Sequence, residues 1–123
     1  MNGSGTPWCD FSSKGSIIGL KISIIKYDIL RAILESLTYE LNINVEIMKS
    51  AGLEIKNLRA VGGGIKSPLW LQIKSDILNQ PINTLRVREA ACLGAAILAG
   101  SATGIYNSIQ EGVNITSKIR QTI

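Results

Sequence analysis

Residues 58–70 decide the fold of this chain and read Leu-Arg-Ala-Val-Gly-Gly-Gly-Ile-Lys-Ser-Pro-Leu-Trp. The pattern predicts a short apolar strand, a tight triple-glycine turn, and a helix that Ser67 caps and Pro68 opens. Consecutive glycines allow positive φ angles and remove every Cβ from the path of a ligand. Because open α/β sheets bind nucleotides at such strand-to-helix turns, the stretch is a candidate nucleotide site. A plain strand-to-helix connection explains the three glycines equally well.

The glycine turn matches neither of the two common phosphate-binding motifs. Gly62 and Gly64 fit the dinucleotide pattern G-x-G-x-x-G, but Ser67 stands where the third glycine belongs. A P-loop needs a glycine directly before the Lys-Ser pair, and this chain has Ile65 there. The turn by itself is therefore weak support for nucleotide binding.

The rest of the pattern predicts an α/β fold in the order helix, strand, helix, strand, helix. Apolar residues at three- and four-residue steps predict a long first helix from about residue 25 to 51, with Gly52 as its C-terminal cap. The other elements are expected as strands at 57–61 and 82–87, helices at 68–78, 89–100 and 108–112, and a frayed tail at 113–123. Residues 17–22 fit either a short strand or an extended entry to the first helix.

The same periodicity predicts which side chains are buried. They are Leu30, Ile33, Leu34, Leu37, Leu41, Val45 and Met48 on the first helix, Leu69, Trp70, Ile73 and Ile77 on the second, and Ala91, Gly94, Ala95, Leu98 and Ala99 on the third. Trp70 is thus expected in the core rather than as a stacking surface for a ligand, and Cys92 is expected to be a buried free thiol. Two or three strands make a thin sheet for such long helices. The first helix has to lie across a sheet or a partner to bury its apolar stripe.

Composition excludes several classes of function. The chain has 123 residues, the size of one modest domain, and a net charge of +4 from basic residues that are scattered, which argues against nucleic-acid binding. The absence of histidine excludes Ser-His-Asp and Cys-His nucleophile schemes, and two unrelated cysteines predict neither a disulfide nor a metal site. The aspartates are dispersed, so no catalytic residue and no metal ligand are assigned.

Location follows from two further patterns. Residues 90–110 carry no charge, but they are too polar, and their apolar part is too short, for the roughly 20 residues that a bilayer requires. No N-terminal stretch has the charged start and apolar run of a secretory signal. We therefore expect a cytoplasmic protein that does not bind membranes.

Four segments in order resemble the C-terminal part of the FGGY carbohydrate kinases, most closely those of the xylulokinase type. They are residues 6–20 with Thr-Pro, Asp and two glycines, residues 31–41 on the long helix, residues 58–78 around the glycine turn, and residues 89–99 (Glu-Ala-Ala-Cys-Leu-Gly-Ala-Ala-Ile-Leu-Ala). The third segment resembles the adenosine motif of the family, and the fourth resembles the second connecting helix of the actin-like ATPase fold.

The resemblance implies that residues 1–112 are the C-terminal portion of a kinase whose actin-like (ribonuclease H-like) domains enclose a sugar and ATP, with residues 113–123 as a tail. It implies that Gly62, Gly63, Gly64 and Ser67 lie against the adenosine, with ATP or ADP and Mg²⁺ as cofactors. It also places the helix from Glu89 near the interdomain hinge. The catalytic aspartate, the sugar-binding residues and the phosphate loops of the family precede the matched segments.

Two functions are therefore expected. The first is the nucleotide-binding part of an ATP-dependent kinase for a ketopentose such as xylulose, inactive and prone to self-association without its N-terminal domain. The alternative is a non-catalytic remnant that binds adenine nucleotide or a protein partner.

Overall fold

A computed structural model describes residues 3–87 and 89–123. The chain divides into two compact units, residues 1–54 and residues 55–123, called here the N-terminal and C-terminal units. The elements follow the predicted order, including the short last helix, and add a third strand at the end. The mixed α/β class predicted from the sequence is confirmed.

The N-terminal unit is a loop followed by one long helix, α1 (Lys26–Ser50). The Asp28 carboxylate accepts a hydrogen bond from the Ile25 backbone N–H at 3.0 Å and so satisfies a donor at the helix start. At the other end the N–H of Gly52 donates to the Lys49 carbonyl and that of Leu53 to the Met48 carbonyl, with Gly52 at φ 86°. This is a Schellman motif, so the prediction of Gly52 as the C-terminal cap is confirmed.

The predicted apolar stripe of α1 is mostly exposed. Val45 is buried, whereas Leu30 is 56% exposed and Leu37 is 40% exposed. Thr38, which the periodicity did not select, is buried, and its hydroxyl donates to the Leu34 carbonyl at 2.8 Å. The prediction of a buried stripe is wrong, because the described residues of the N-terminal unit contain no sheet that could cover this face. Residues 17–21 have no regular secondary structure, and residues 22 and 23 form a turn.

The C-terminal unit is built on a three-stranded sheet in the order β1 (Leu58–Ala60), β2 (Ile82–Leu85), β3 (Ile119–Thr122). β1 and β2 are parallel, with Leu58 opposite Ile82, and helix α2 (Pro68–Leu78) connects them. β3 is antiparallel to β2, with Asn83 opposite Thr122 and an irregularity between Thr84 and Leu85. The parallel pair and its helix form a βαβ unit, which leaves the turn after β1 at the carboxyl edge of the sheet.

The core of the C-terminal unit is formed by side chains of α2, the sheet and the third helix. Its buried hydrophobic side chains are Leu71, Ile73, Leu78, Ile82, Leu85 and Ile97. The predicted inner face of α2 was partly wrong, since Leu69 is 54% exposed and Leu71 is 3% exposed. The buried face of α2 is broader than predicted and is rotated toward Leu71, so that Leu69 lies outside it.

Helix α2 ends before Pro81, the residue predicted to stop it. Asn79 takes the left-handed conformation at φ 48°, and the N–H of Gln80 donates to the Ser75 carbonyl at 3.3 Å. Asparagine tolerates this conformation better than most residues, so it forms the C-terminal motif here. Pro81 only follows a helix that has already ended.

Helix α3 (Ala90–Ala102) packs against helix α4 (Ile109–Thr116) through different residues from those predicted. Ile97 and Gly100 are buried, and a Cβ added at Gly100 would lie 2.7 Å from the Tyr106 ring. The predicted small face is largely on the surface, with Leu98 57% exposed, and Cys92 is exposed rather than buried. The close approach of Tyr106, from the loop between the helices, selects the buried side.

The C-terminal residues are more regular than predicted. α4 continues to Thr116, and β3 pairs with β2 as far as Thr122. A frayed state for 113–123 is therefore wrong, because these residues supply the third strand of the sheet.

Candidate functional site

The four predicted site residues lie together where β1 ends and α2 begins. After Val61 the chain passes through Gly62, forms one 3-10 turn over Gly63–Lys66, and reaches Ser67. The N–H of Ile65 donates to the Gly62 carbonyl at 3.4 Å and the N–H of Ser67 to the Gly64 carbonyl at 3.3 Å. The connection is thus longer than a single tight turn, and the 3-10 turn brings Gly62, Gly63 and Gly64 to the mouth of α2.

Gly62 has the backbone conformation that only glycine adopts readily. Its φ is 81° and its ψ is −165°, a region that is sterically closed to residues with a Cβ. A Cβ added there would meet no atom within 4 Å, so the requirement for glycine comes from the backbone and not from packing.

Gly63 and Gly64 differ in what surrounds them. A Cβ on Gly63 would enter open space, whereas one on Gly64 would lie 3.0 Å from the Trp70 ring. Gly64 therefore faces the protein, and Gly63 leaves its side of the turn open to a ligand.

Ser67 caps helix α2 as predicted. Its hydroxyl oxygen accepts a hydrogen bond from the Trp70 backbone N–H at 3.2 Å, and Pro68 occupies the first turn of the helix. The helix start carries a partial positive charge, which favours electron-rich groups of a ligand at this position. The arrangement provides an open backbone surface beside a positive helix end.

A contact between Trp70 and Lys74 adds a feature that sequence reasoning missed. The Lys74 Nζ atom lies 3.9 Å from the centre of the Trp70 ring. Burial lowers the pKa of Lys74 below its ordinary value, while the face of the indole favours the ammonium form. The spacing of four residues on a predicted helix was the available signal for this pair.

A cavity of about 260 Å³ lies beside the turn, within the C-terminal unit. It is lined by Ile65, Lys66, Pro68, Leu71, Thr84, Arg120, Gln121 and Ile123. Three of these residues belong to β3 or follow it, in the segment that was expected to be a tail. The sequence could not place this cavity because it depends on the pairing of β3 with β2.

The described residues contain no group of three or more histidine, cysteine, aspartate or glutamate side chains that could hold a metal ion. Helices long and apolar enough to cross a membrane are also absent from this described part. Asp10, at the resembling N-terminal loop, is engaged locally, since its carboxylate accepts bonds from the Ser12 N–H and hydroxyl. These bonds lower the pKa of the exposed Asp10 carboxyl and do not create a catalytic pair.

Residues 1–103 match the C-terminal domain of the FGGY family of carbohydrate kinases. The chain belongs to this family. The FGGY match includes the N-terminal unit and the C-terminal unit as far as residue 103, and it confirms the resemblance found from the sequence.

Three relatives illustrate the range of the family. The chain is 38% identical over 119 residues to the xylulose kinase of Staphylococcus epidermidis, which covers 97% of this chain and 24% of the relative. It is 40% identical over 114 residues to the glycerol kinase of Saccharolobus islandicus, with 92% and 23% covered. The solved glycerol kinase of Plasmodium falciparum with ADP superposes with a TM-score of 0.83 at 28% identity, over 98% of this chain and 24% of that one.

The FGGY chain described here therefore spans about a quarter of the length of the relatives it matches. Its fold is part of the actin-like ATPase fold of the sugar kinases.

Proposed function

We propose that this chain is the nucleotide-binding part of an ATP-dependent FGGY sugar kinase. The observation that carries the proposal is Gly62, held at φ 81° beside the open Gly63 and the capped start of α2. Together they form a surface without side chains at a positive helix end, which suits a nucleotide. The relative from Plasmodium falciparum, crystallised with ADP, supports the same ligand class.

In this proposal Gly62, Gly63, Gly64 and Ser67 contact the adenosine of ATP or ADP. Mg²⁺ would accompany the phosphates and supply charge stabilisation for phosphoryl transfer. The residues present fit the nucleoside end of the ligand, since the turn is open and the helix start is positive. They do not fit the metal, because the described part of the chain holds no cluster of metal-ligating side chains.

Phosphoryl transfer also requires a base for the acceptor hydroxyl and donors to the transferred phosphate. We assign these to the rest of the kinase, which makes residues 1–123 inactive by themselves. The proposed acceptor is a ketopentose such as xylulose; glycerol is the second candidate, because the glycerol kinase of Saccharolobus islandicus is 40% identical. We keep the division into residues 1–112 and a short C-terminal segment as part of the proposal.

A non-catalytic role is the alternative. The loop before α1 and the start of that helix expose Ile18, Ile22 and Leu30 at 90%, 108% and 56%. Such a surface favours contact with another protein or with a second copy of the chain. Self-association therefore belongs to both candidate functions.

Calorimetric titration of ADP with Mg²⁺ into the purified chain tests the proposal. We expect saturable binding to the wild type and loss of binding in Gly63→Val, since the new side chain would occupy the open space above the turn. Gly15→Val is the matched control, because a Cβ at Gly15 also meets no atom within 4 Å but lies in the N-terminal unit.

Equal binding by the wild type and Gly63→Val would contradict the placement of the nucleotide. No heat of binding from a chain that is folded by circular dichroism would contradict nucleotide binding by this part alone. Phosphorylation of xylulose by the isolated chain would contradict the assignment of the catalytic groups to the rest of the kinase.

A further inference from the structure

Trp70 touches the glycine turn at two points. Its backbone N–H donates to the Ser67 hydroxyl at 3.2 Å, and its six-membered ring lies against Gly64, where a Cβ would be 3.0 Å from Cζ3. The side chain is half-buried, and its Nε1 is buried without a hydrogen-bond partner among the described residues. The ring therefore keeps its place by contact with its neighbours and not by a hydrogen bond of its own.

Lys74 holds the same ring from one helical turn later. Its Nζ lies 3.9 Å from the ring centre and 3.8 Å from the position a Gly64 Cβ would take. Gly64, Trp70 and Lys74 thus form one contact group, called here the glycine–indole–lysine group. A movement of the indole changes the support beneath the turn.

We infer that Trp70, held by Lys74, is the positioning residue that fixes the triple-glycine turn for nucleotide binding. This inference rests on the function proposed above, and it adds residues that do not themselves touch the ligand. The ring supports Gly64, and Gly64 belongs to the 3-10 turn that also contains the open Gly63. Nucleotide affinity then depends on a side chain on the protein side of the turn.

The first arm of the test is ADP affinity in the full chain. Trp70→Phe removes the outer ring that contacts Gly64, and we expect the Kd for ADP to rise about tenfold, near the upper range for one aromatic contact. Lys74→Met keeps the stem and removes the cation, with an expected rise of about threefold. Lys74→Arg restores a cation that stacks on indole, so its Kd should return to within about twofold of the wild type.

Ile73→Val is the control for a general loss of stability. Ile73 is buried on the same helix, with 4% of its surface exposed, and none of its atoms is among those nearest to a Cβ added at Gly64. We expect this variant to melt at a lower temperature and to bind ADP as the wild type does. An equal rise of Kd in Ile73→Val and Trp70→Phe would overturn the positioning role, as would an unchanged Kd in Trp70→Phe.

The second arm does not need a ligand and separates this inference from the proposed function. Amide hydrogen exchange of Ile65 and Ser67 reports their bonds to Gly62 and Gly64 in the free chain. We expect faster exchange at both amides in Trp70→Phe but not in Ile73→Val or in Trp8→Phe, which changes the other tryptophan. If the wild type does not bind ADP, the proposed function fails, and this arm still decides whether Trp70 positions the turn; unchanged exchange would overturn it.

Discussion

The two units of the molecule differ in how many of their apolar side chains are buried. The C-terminal unit contains Leu71, Ile73, Leu78, Ile82, Leu85 and Ile97, which are six of the seven buried hydrophobic residues in the described part of the chain. The N-terminal unit contains only Val45 of this set, although it carries the longest helix. The difference follows from the sheet, because all three of its strands belong to the C-terminal unit.

The comparison separates the formation of a helix from its burial. α1 has an acidic residue, Asp28, in its first turn that accepts a backbone hydrogen bond, and it ends in a glycine motif; both are local features. Its apolar stripe, however, needs a second layer, which this unit does not provide. A helix can therefore be predicted with accurate ends while its environment is predicted wrongly.

The largest expected effect is in the core of the C-terminal unit. Leu71→Ala should lower the free energy of unfolding by about 2–5 kcal/mol, because it leaves a cavity beneath α2. Leu30→Ala on the exposed face of α1 should change it by no more than about 0.5 kcal/mol. Urea unfolding followed by circular dichroism, which reports the helices of both units, measures both variants; similar losses in the two would remove the contrast between the units.

The next effect concerns backbone strain at glycine. Gly62→Ala should cost about 1–3 kcal/mol, since the new Cβ meets no atom but the backbone angles are closed to alanine. Gly63→Ala, which is open and has no positive φ, is the matched control and should lie within about 0.5 kcal/mol of the wild type. Thermal unfolding measures both, and an equal cost at the two positions would show that the conformation of Gly62 is not a constraint.

Substitutions of exposed apolar residues in the two units should change the self-association constant of the chain differently. Replacing Ile18 and Ile22 together by serine removes two of the most exposed apolar side chains of the N-terminal unit. We expect the concentration at half-association to rise at least about tenfold, given the free energy of burying such side chains. Sedimentation at several concentrations measures this shift.

Leu69→Ser is the control for that experiment, because Leu69 is 54% exposed but belongs to the C-terminal unit. It should leave association unchanged. A wild-type chain that stays monomeric across the whole range would contradict the expectation that the N-terminal unit drives association.

The smallest effect is the pH dependence of Lys74. Burial lowers the pKa of Lys74 in the folded chain from 10.5, so the folded state loses this proton before the unfolded state does. The unfolded chain then binds more protons, and stability rises as the pH increases toward 10.5. The free energy of unfolding of the wild type should therefore rise relative to that of Lys74→Met as the pH increases over this range. A difference between the two proteins that stays constant with pH would contradict this prediction.

Most of the candidate site could be read from the sequence because its chemistry is local. Ser67, Pro68 and the three glycines predict a capped helix after a turn, and the structure has both. The support of the turn by Trp70 and Lys74 could not be read in the same way, since it depends on how the indole lies against Gly64. The cavity lined by Arg120 and Thr84 depends on a strand pairing across more than thirty residues.

The sequence by itself determined the ends of α1 and α2 to within a residue, because caps and turns are made by residues within a few positions of one another. The predicted ends of α3 and α4 fall two and four residues short of the observed ones, Ala102 and Thr116. The sequence also determined the glycine turn, since the conformation of Gly62 is available only to glycine. Only the tertiary structure decided that Leu71 and not Leu69 is buried, that residues 119–122 form a strand, and that α1 keeps an exposed face. These outcomes depend on which elements lie against one another, and burial is a property of both partners in a contact.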